Sequence, residues 1–118
     1  MMSDSNNVSE EVDFTISAEA VNRYFQNLIN RFFKILPMKE SEEETLPTYI
    51  SSLQIELLGM KSLIPELQDN SSFLSLLAVL QYFEDNPDCE TAVVRREVFN
   101  SISTCKHLAA EYADETGE

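Results

Sequence analysis

The chain has one histidine, His107, and no tryptophan. A single imidazole cannot build a histidine-cluster metal site or a paired-histidine mechanism within one chain. Two glycines and four prolines in 118 residues leave no Gly-rich phosphate loop and little of the composition that keeps a chain disordered. Cys89 and Cys105 are the only cysteines. They fall in what reads as one helical segment, about 24 Å apart along its axis, which is too far for a disulfide. Both are read as free thiols, as a reducing compartment favours, and there is no Cys-x-x-Cys pair. Basic residues are also scarce: eight Lys and Arg against 21 Asp and Glu give a net charge of −13. Phosphate contacts need clustered bases, so direct nucleic-acid binding is excluded. No basic n-region and apolar h-region open the chain, and no apolar run approaches the ~20 residues of a membrane span. The expectation is a cytoplasmic protein without membrane contact.

What the chain does have is apolar side chains at helical spacing. Its length fits one domain, which at this size buries roughly two-thirds of its unfolded surface. After a polar lead-in at 1–14, read as disordered, Ser17 is placed to cap a helix with Glu19 in its first turn. Val21, Phe25, Leu28, Phe32 and Ile35 follow at four- and three-residue steps, flanked by Tyr24, Ile29, Phe33 and Leu36. Pro37 should end this helix. Thr45 is a candidate cap for a second helix, lined by Leu46, Ile50, Leu53, Leu57, Met60 and Ile64 and widened by Tyr49, Ile55, Leu58 and Leu63. Gly59 within it suggests close approach of another helix. A third helix, capped at Asp69, Asn70 or Ser71, has only Ser75 and Gln81 as polar residues from Phe73 to Phe83. In the fourth, Asn86 and Pro87 suit the cap and first positions, and Val94, Val98, Ile102, Cys105, Ala109 and Tyr112 form the stripe, with Phe99 and Leu108 beside them. Cys89 would then sit in a first turn, where a thiolate is favoured, though no histidine or second thiol stands beside it. The pattern predicts an all-α, antiparallel four-helix bundle with helices over about 17–36, 46–64, 71–84 and 88–113. One domain spans 15–113, and a tail at 114–118 frays.

Sixteen of the 21 acids fall in four segments at or beyond the helix ends, 1–16, 39–44, 84–90 and 111–118, against the single base Lys39. In an up-down-up-down bundle the second and third of these segments share one end. The candidate acidic pole is therefore Glu40, Glu42, Glu43, Glu44, Glu84, Asp85, Asp88 and Glu90.

Glu40-x-x-Glu43, followed after 22 residues by Glu66-x-x-Asp69, is similar in spacing to the all-α nucleotide pyrophosphohydrolases resembling MazG. The resemblance covers those four residues and implies a magnesium site acting on a triphosphate. Magnesium needs its carboxylates converging on one point. A helix over 46–64 holds these two clusters about 28 Å apart. The Arg-x4–6-His spacing of HEPN-like helical RNases is absent, and Asp85-Asn86-Pro87-Asp88 lacks the glycine and distal glutamate of an EF-hand. His107 and Glu111, four apart, read as a surface helix pair.

The expected function is a non-enzymatic protein–protein interaction module without cofactor or metal, associating as a homodimer and possessing a further protein partner, basic if it meets the acidic pole. The third helix exceeds the roughly three-sevenths apolar content that a bundle helix requires. Its candidate interface is Phe73, Leu74, Leu77, Ala78, Gln81 and Tyr82. The alternatives are an acidic nucleic-acid mimic that inhibits a basic partner, and a magnesium-dependent pyrophosphohydrolase.

Overall fold

A computed structural model of the chain describes residues 16–116. They form α1 (Ala18–Phe33), α2 (Ile35–Glu40), α3 (Leu46–Leu63), α4 (Ser71–Asp85) and α5 (Thr91–Thr116), with a 3-10 turn at Pro65–Asp69. No strand occurs among the described residues, and the fold is all-α. The lead-in expected at 1–14 lies outside them. Helix α5 runs three residues past its expected end at 113.

Ser17 caps α1, its hydroxyl accepting from the Ala20 N–H at 3.1 Å. The single helix expected over 17–36 is two helices, and Pro37 lies inside the second instead of ending the first. Proline has no N–H and its ring crowds the carbonyl four residues back. That carbonyl belongs to Phe33, where α1 stops. Backbone bonds from Lys34 to Asn30 and from Met38 to Lys34 carry the chain across the break. Helix α2 closes with Glu43 N–H bonded to Met38 O and Glu42 N–H to Lys39 O, the two bonds of a Schellman turn. Its pivot, Glu42, has φ 54°, a left-handed position usually held by glycine.

Three further local expectations fail. Thr45 makes no capping bond with its side chain. Gly59 marks no close approach, because a Cβ there would meet nothing within 4 Å. Asn86 does not start α5; its N–H and its side-chain amide both bond the Tyr82 carbonyl, so it closes α4. With Asn86 so committed, α5 begins at Thr91, and Pro87 and Cys89 lie in the preceding loop. Cys89 is half-buried against the core and Cys105 is buried; both are free thiols. The third helix is capped by Asn70, whose side chain accepts from the Phe73 N–H at 2.9 Å.

Burial follows the predicted spacing where helices face one another. Val21, Phe25, Leu28, Phe32 and Ile35 are buried, as are Val94, Val98, Ile102, Cys105, Leu108, Ala109 and Tyr112. Asn22 donates to the Ala109 carbonyl near one end of α1, the Phe25 and Tyr112 rings stack, and Phe33 meets Phe99 at the other end, so α1 and α5 run in opposite directions. Helix α4 contributes Phe73, Leu76, Leu80 and Phe83 to the same core, with Phe73 edge-on to Phe25 at 6.2 Å. Helix α3 adds Ile50, Leu53 and Leu57 and packs along α4, where the Gln54 and Gln81 amides meet at 2.9 Å. Ser101 is buried with its hydroxyl unpaired.

Candidate functional site

Two surfaces and one polar cluster stand out. The first surface is a cleft of about 1090 Å3 at the end where the α2–α3 and α4–α5 loops meet. Glu42, Glu43, Glu44, Glu84, Asp85, Asp88 and Glu90 line it, above apolar walls that include Leu46, Pro47, Ile50 and Phe83. Of the eight acids expected at this pole, the structure brings these seven together. The eighth, Glu40, pairs with Arg95 at 3.2 Å. The one base in the cleft, Lys39, donates to the Pro87 carbonyl at 3.1 Å and so bridges the two loops. The ion pairs among the described residues are Glu19–Arg23, Glu56–Arg31, Glu40–Arg95 and Glu97–Arg96, and Glu111 contacts the His107 ring. None uses a cleft acid.

The second surface is the outer side of α3 and α4. Of the six residues expected at an interface, Phe73 is fully buried and belongs to the core, and Leu77 is half-buried against it. Leu74 is half-buried, while Ala78, Gln81 and Tyr82 are exposed, Tyr82 by 40%. The sequence reading missed their neighbours on α3. Ile55 and Leu58, expected to widen a buried stripe, are 67% and 46% exposed, and Leu63 is 49% exposed. Helix α3 carries only Glu56 and Lys61 as charges, and α4 carries none before Glu84. The signal available in the sequence was this absence of charge from 46 to 83, where only Glu56, Lys61, Glu66 and Asp69 interrupt it. Phe33 and Phe99, also expected at the core, face each other on the α1–α5 side with nearly half of each exposed.

The polar cluster joins α1 to α3. Arg31 grips Glu56 with two parallel bonds of 3.1 and 2.9 Å, Tyr24 donates to the same carboxylate at 2.7 Å, and Tyr49 donates to the Arg31 carbonyl at 2.8 Å. Hydrogen bonding from Arg31 holds the Glu56 carboxyl below its ordinary range against the opposing effect of burial, with Tyr24 assisting. Burial first, and then the bond to Glu56, raises the Tyr24 phenol above its usual value. Burial alone pushes the Cys105 thiol up to about 12, so it stays protonated and unreactive. Glu56 has its oxygens engaged on both sides and is a tie between helices. In the sequence Arg31 and Glu56 are each one charge among others in their helices, with nothing to mark them as partners.

The four carboxylates that share the pyrophosphohydrolase spacing do not meet. Glu40 is at the end of α2, Glu43 lines the cleft, and Glu66 and Asp69 lie in the 3-10 turn beyond the 18 residues of α3. Glu66 accepts a bond from the Tyr112 hydroxyl at 3.2 Å. Among the described residues no group of three or more His, Cys, Asp or Glu side chains converges as a metal site requires, and no helix is long and apolar enough to cross a membrane. His107 pairs with Glu111 at 3.0 Å on the surface. In comparisons with protein-family models, with curated proteins and with solved structures, nothing matches this chain.

Proposed function

We propose that this protein is a non-enzymatic protein-binding module, built as an antiparallel four-helix bundle in which α1 and α2 form one bent member, and that it binds through the outer side of α3 and α4. The contacts between α1 and α5, and between α3 and α4, support that arrangement. The observation that carries the binding reading is the exposure of Ile55, Leu58 and Tyr82 on a flank with almost no charge, in a chain whose other surfaces are densely charged. Clustered exposed apolar side chains favour a protein interface, whereas singly scattered ones do not. The groups whose proton affinities are shifted, Tyr24, Arg31, Glu56 and Cys105, serve packing between helices and take no part in an open site.

A second reading draws on the cleft. Seven carboxylates outside any ion pair around an apolar floor suit a cationic segment of a partner, and an acidic inhibitor of a basic surface would use that end. The two readings separate by crosslinked capture from host extract with the wild type, Ile55→Glu/Leu58→Glu and Glu43→Gln/Glu84→Gln. The flank reading expects captured protein to be lost only with the first variant, with helical circular dichroism unchanged. Loss only with the second variant favours the cleft, and capture indifferent to both variants refutes the module.

A further inference from the structure

We infer that the flank of α3 and α4 pairs with the same flank of a second copy of this chain across a two-fold axis, an inference that rests on reading the protein as a binding module. Charge decides the occupant. Two copies that each carry −13 repel wherever acidic surface meets acidic surface, so the acidic ends oppose self-contact. On the α1–α5 side the arginines are committed within their own chain, Arg23 to Glu19, Arg95 to Glu40 and Arg96 to Glu97. Among the described residues, the outer side of α3 and α4 offers an extended face whose acids, Glu84 and Asp85, stand at the α4 C-terminal end, where Gln81 donates to Asp85 at 3.0 Å. Glu56 is turned toward α1 by Arg31, which leaves half-buried Lys61 as the one other charge that α3 and α4 carry away from that acidic end.

The relief of the flank suits its own copy. In an isologous interface the same patch appears on both sides, so it must supply both projections and depressions. Ile55 and Leu58 project from α3. Across the seam, Ser71, Ser75 and Ala78 form a row of small exposed side chains on α4, at helical spacing. The Gln54–Gln81 contact fixes the antiparallel register of the two helices, so one turn further along Leu58 lies level with Leu77 and Ala78. Bulky and small residues therefore stand side by side on one surface of low charge. Tyr82 adds an aromatic ring with a polar tip, the kind of side chain enriched at interfaces.

The test is sedimentation of the full chain from low micromolar to near-millimolar concentration. The expected result is a monomer–dimer equilibrium that closes at two copies. Leu58→Glu/Ala78→Glu should weaken it at least about tenfold while helical content is retained. Leu58→Lys/Ala78→Lys should do the same, and mixing the two variants should restore association, because opposite charges then face one another across the axis. Ile55→Ser, at the most exposed of these positions, is a milder change that should also weaken the dimer if the charged variants misfold. A monomer at every concentration overturns the inference, as does mass that grows without limit, which signals a head-to-tail contact. Dissociation by Phe99→Glu but not by the flank variants also overturns it. A monomeric wild type that still captures another protein through Ile55 and Leu58 would sink self-pairing and leave the binding module standing.

Discussion

Gly59 and Glu42 occupy positions whose backbones favour the opposite kind of residue. Gly59 is exposed in the interior of α3, with open space where a Cβ would be. Alanine there lowers the conformational entropy of the unfolded chain without a clash. Gly59→Ala should stabilise by about 1 kcal/mol, roughly 4 °C in Tm, measured by thermal and urea unfolding. Glu42, by contrast, holds φ 54° at the Schellman pivot. A left-handed position costs an L-residue about 1–2 kcal/mol, part of which glycine returns through its unfolded-state freedom. Glu42→Gly should therefore stabilise by about 0.5–1 kcal/mol. Glu42→Gln removes the charge but not the strain and should yield less; equal gains from the two would assign the effect to charge. Neither position was legible in the sequence. A helical glycine with nothing near it reads the same as one under a crossing helix, and nothing in Lys39 to Glu44 marks which residue turns left-handed.

At the scale of helices, the tie between α1 and α3 makes stability depend on acidity. The Glu56 carboxyl is held below its usual pKa, first by its bonds from Arg31. A depressed carboxyl contributes stability that is fully present above the unfolded value, about 4.3, and is lost as pH falls through the lower folded value. Between roughly pH 5 and pH 3 the wild type should lose more stability than Glu56→Gln, whose unfolding free energy should follow a flatter curve in that window. Parallel curves would mean that other carboxyls dominate acid unfolding. Arg31 and Glu56 side chains are each more than a third exposed, so solvent screens their pair and the difference should be modest. Helix existence was legible because Val21, Phe25, Leu28 and Phe32, like Val98, Ile102 and Cys105, keep the spacing of a face that another helix covers. Leu58 and Leu63 are core-type residues one position off that face and Ile55 lies opposite it, and the sequence does not say how wide the covering helix is. The break at Phe33 was hidden because Pro37 acts four residues upstream of itself.

At the scale of the whole molecule, charge is sorted by place: acids gather at the cleft, ion pairs lie along α1 and α5, and the outer side of α3 and α4 is nearly neutral. The cleft carboxylates repel one another at short range, and salt screens such repulsion with a Debye length of about 8 Å at physiological ionic strength. Stability should thus rise from low to physiological salt, and Glu43→Gln/Glu84→Gln should blunt that rise in thermal melts. A salt response identical in the variant would mean that the two loops do not feel each other. This gathering of charge was legible, since short connections return alternate loops to the same end. The two walls of the cleft are nonetheless joined, because Lys39 gives its ammonium hydrogen to a peptide oxygen of Pro87 and not to a carboxylate. The base thus works as a latch: it fixes how far apart the walls stand while leaving their acids free of ion pairs. Lys39→Met should let the 84–90 segment swing outward, seen as faster amide exchange there with α5 unchanged, and a cleft of variable width would lose its shape before it lost its charge.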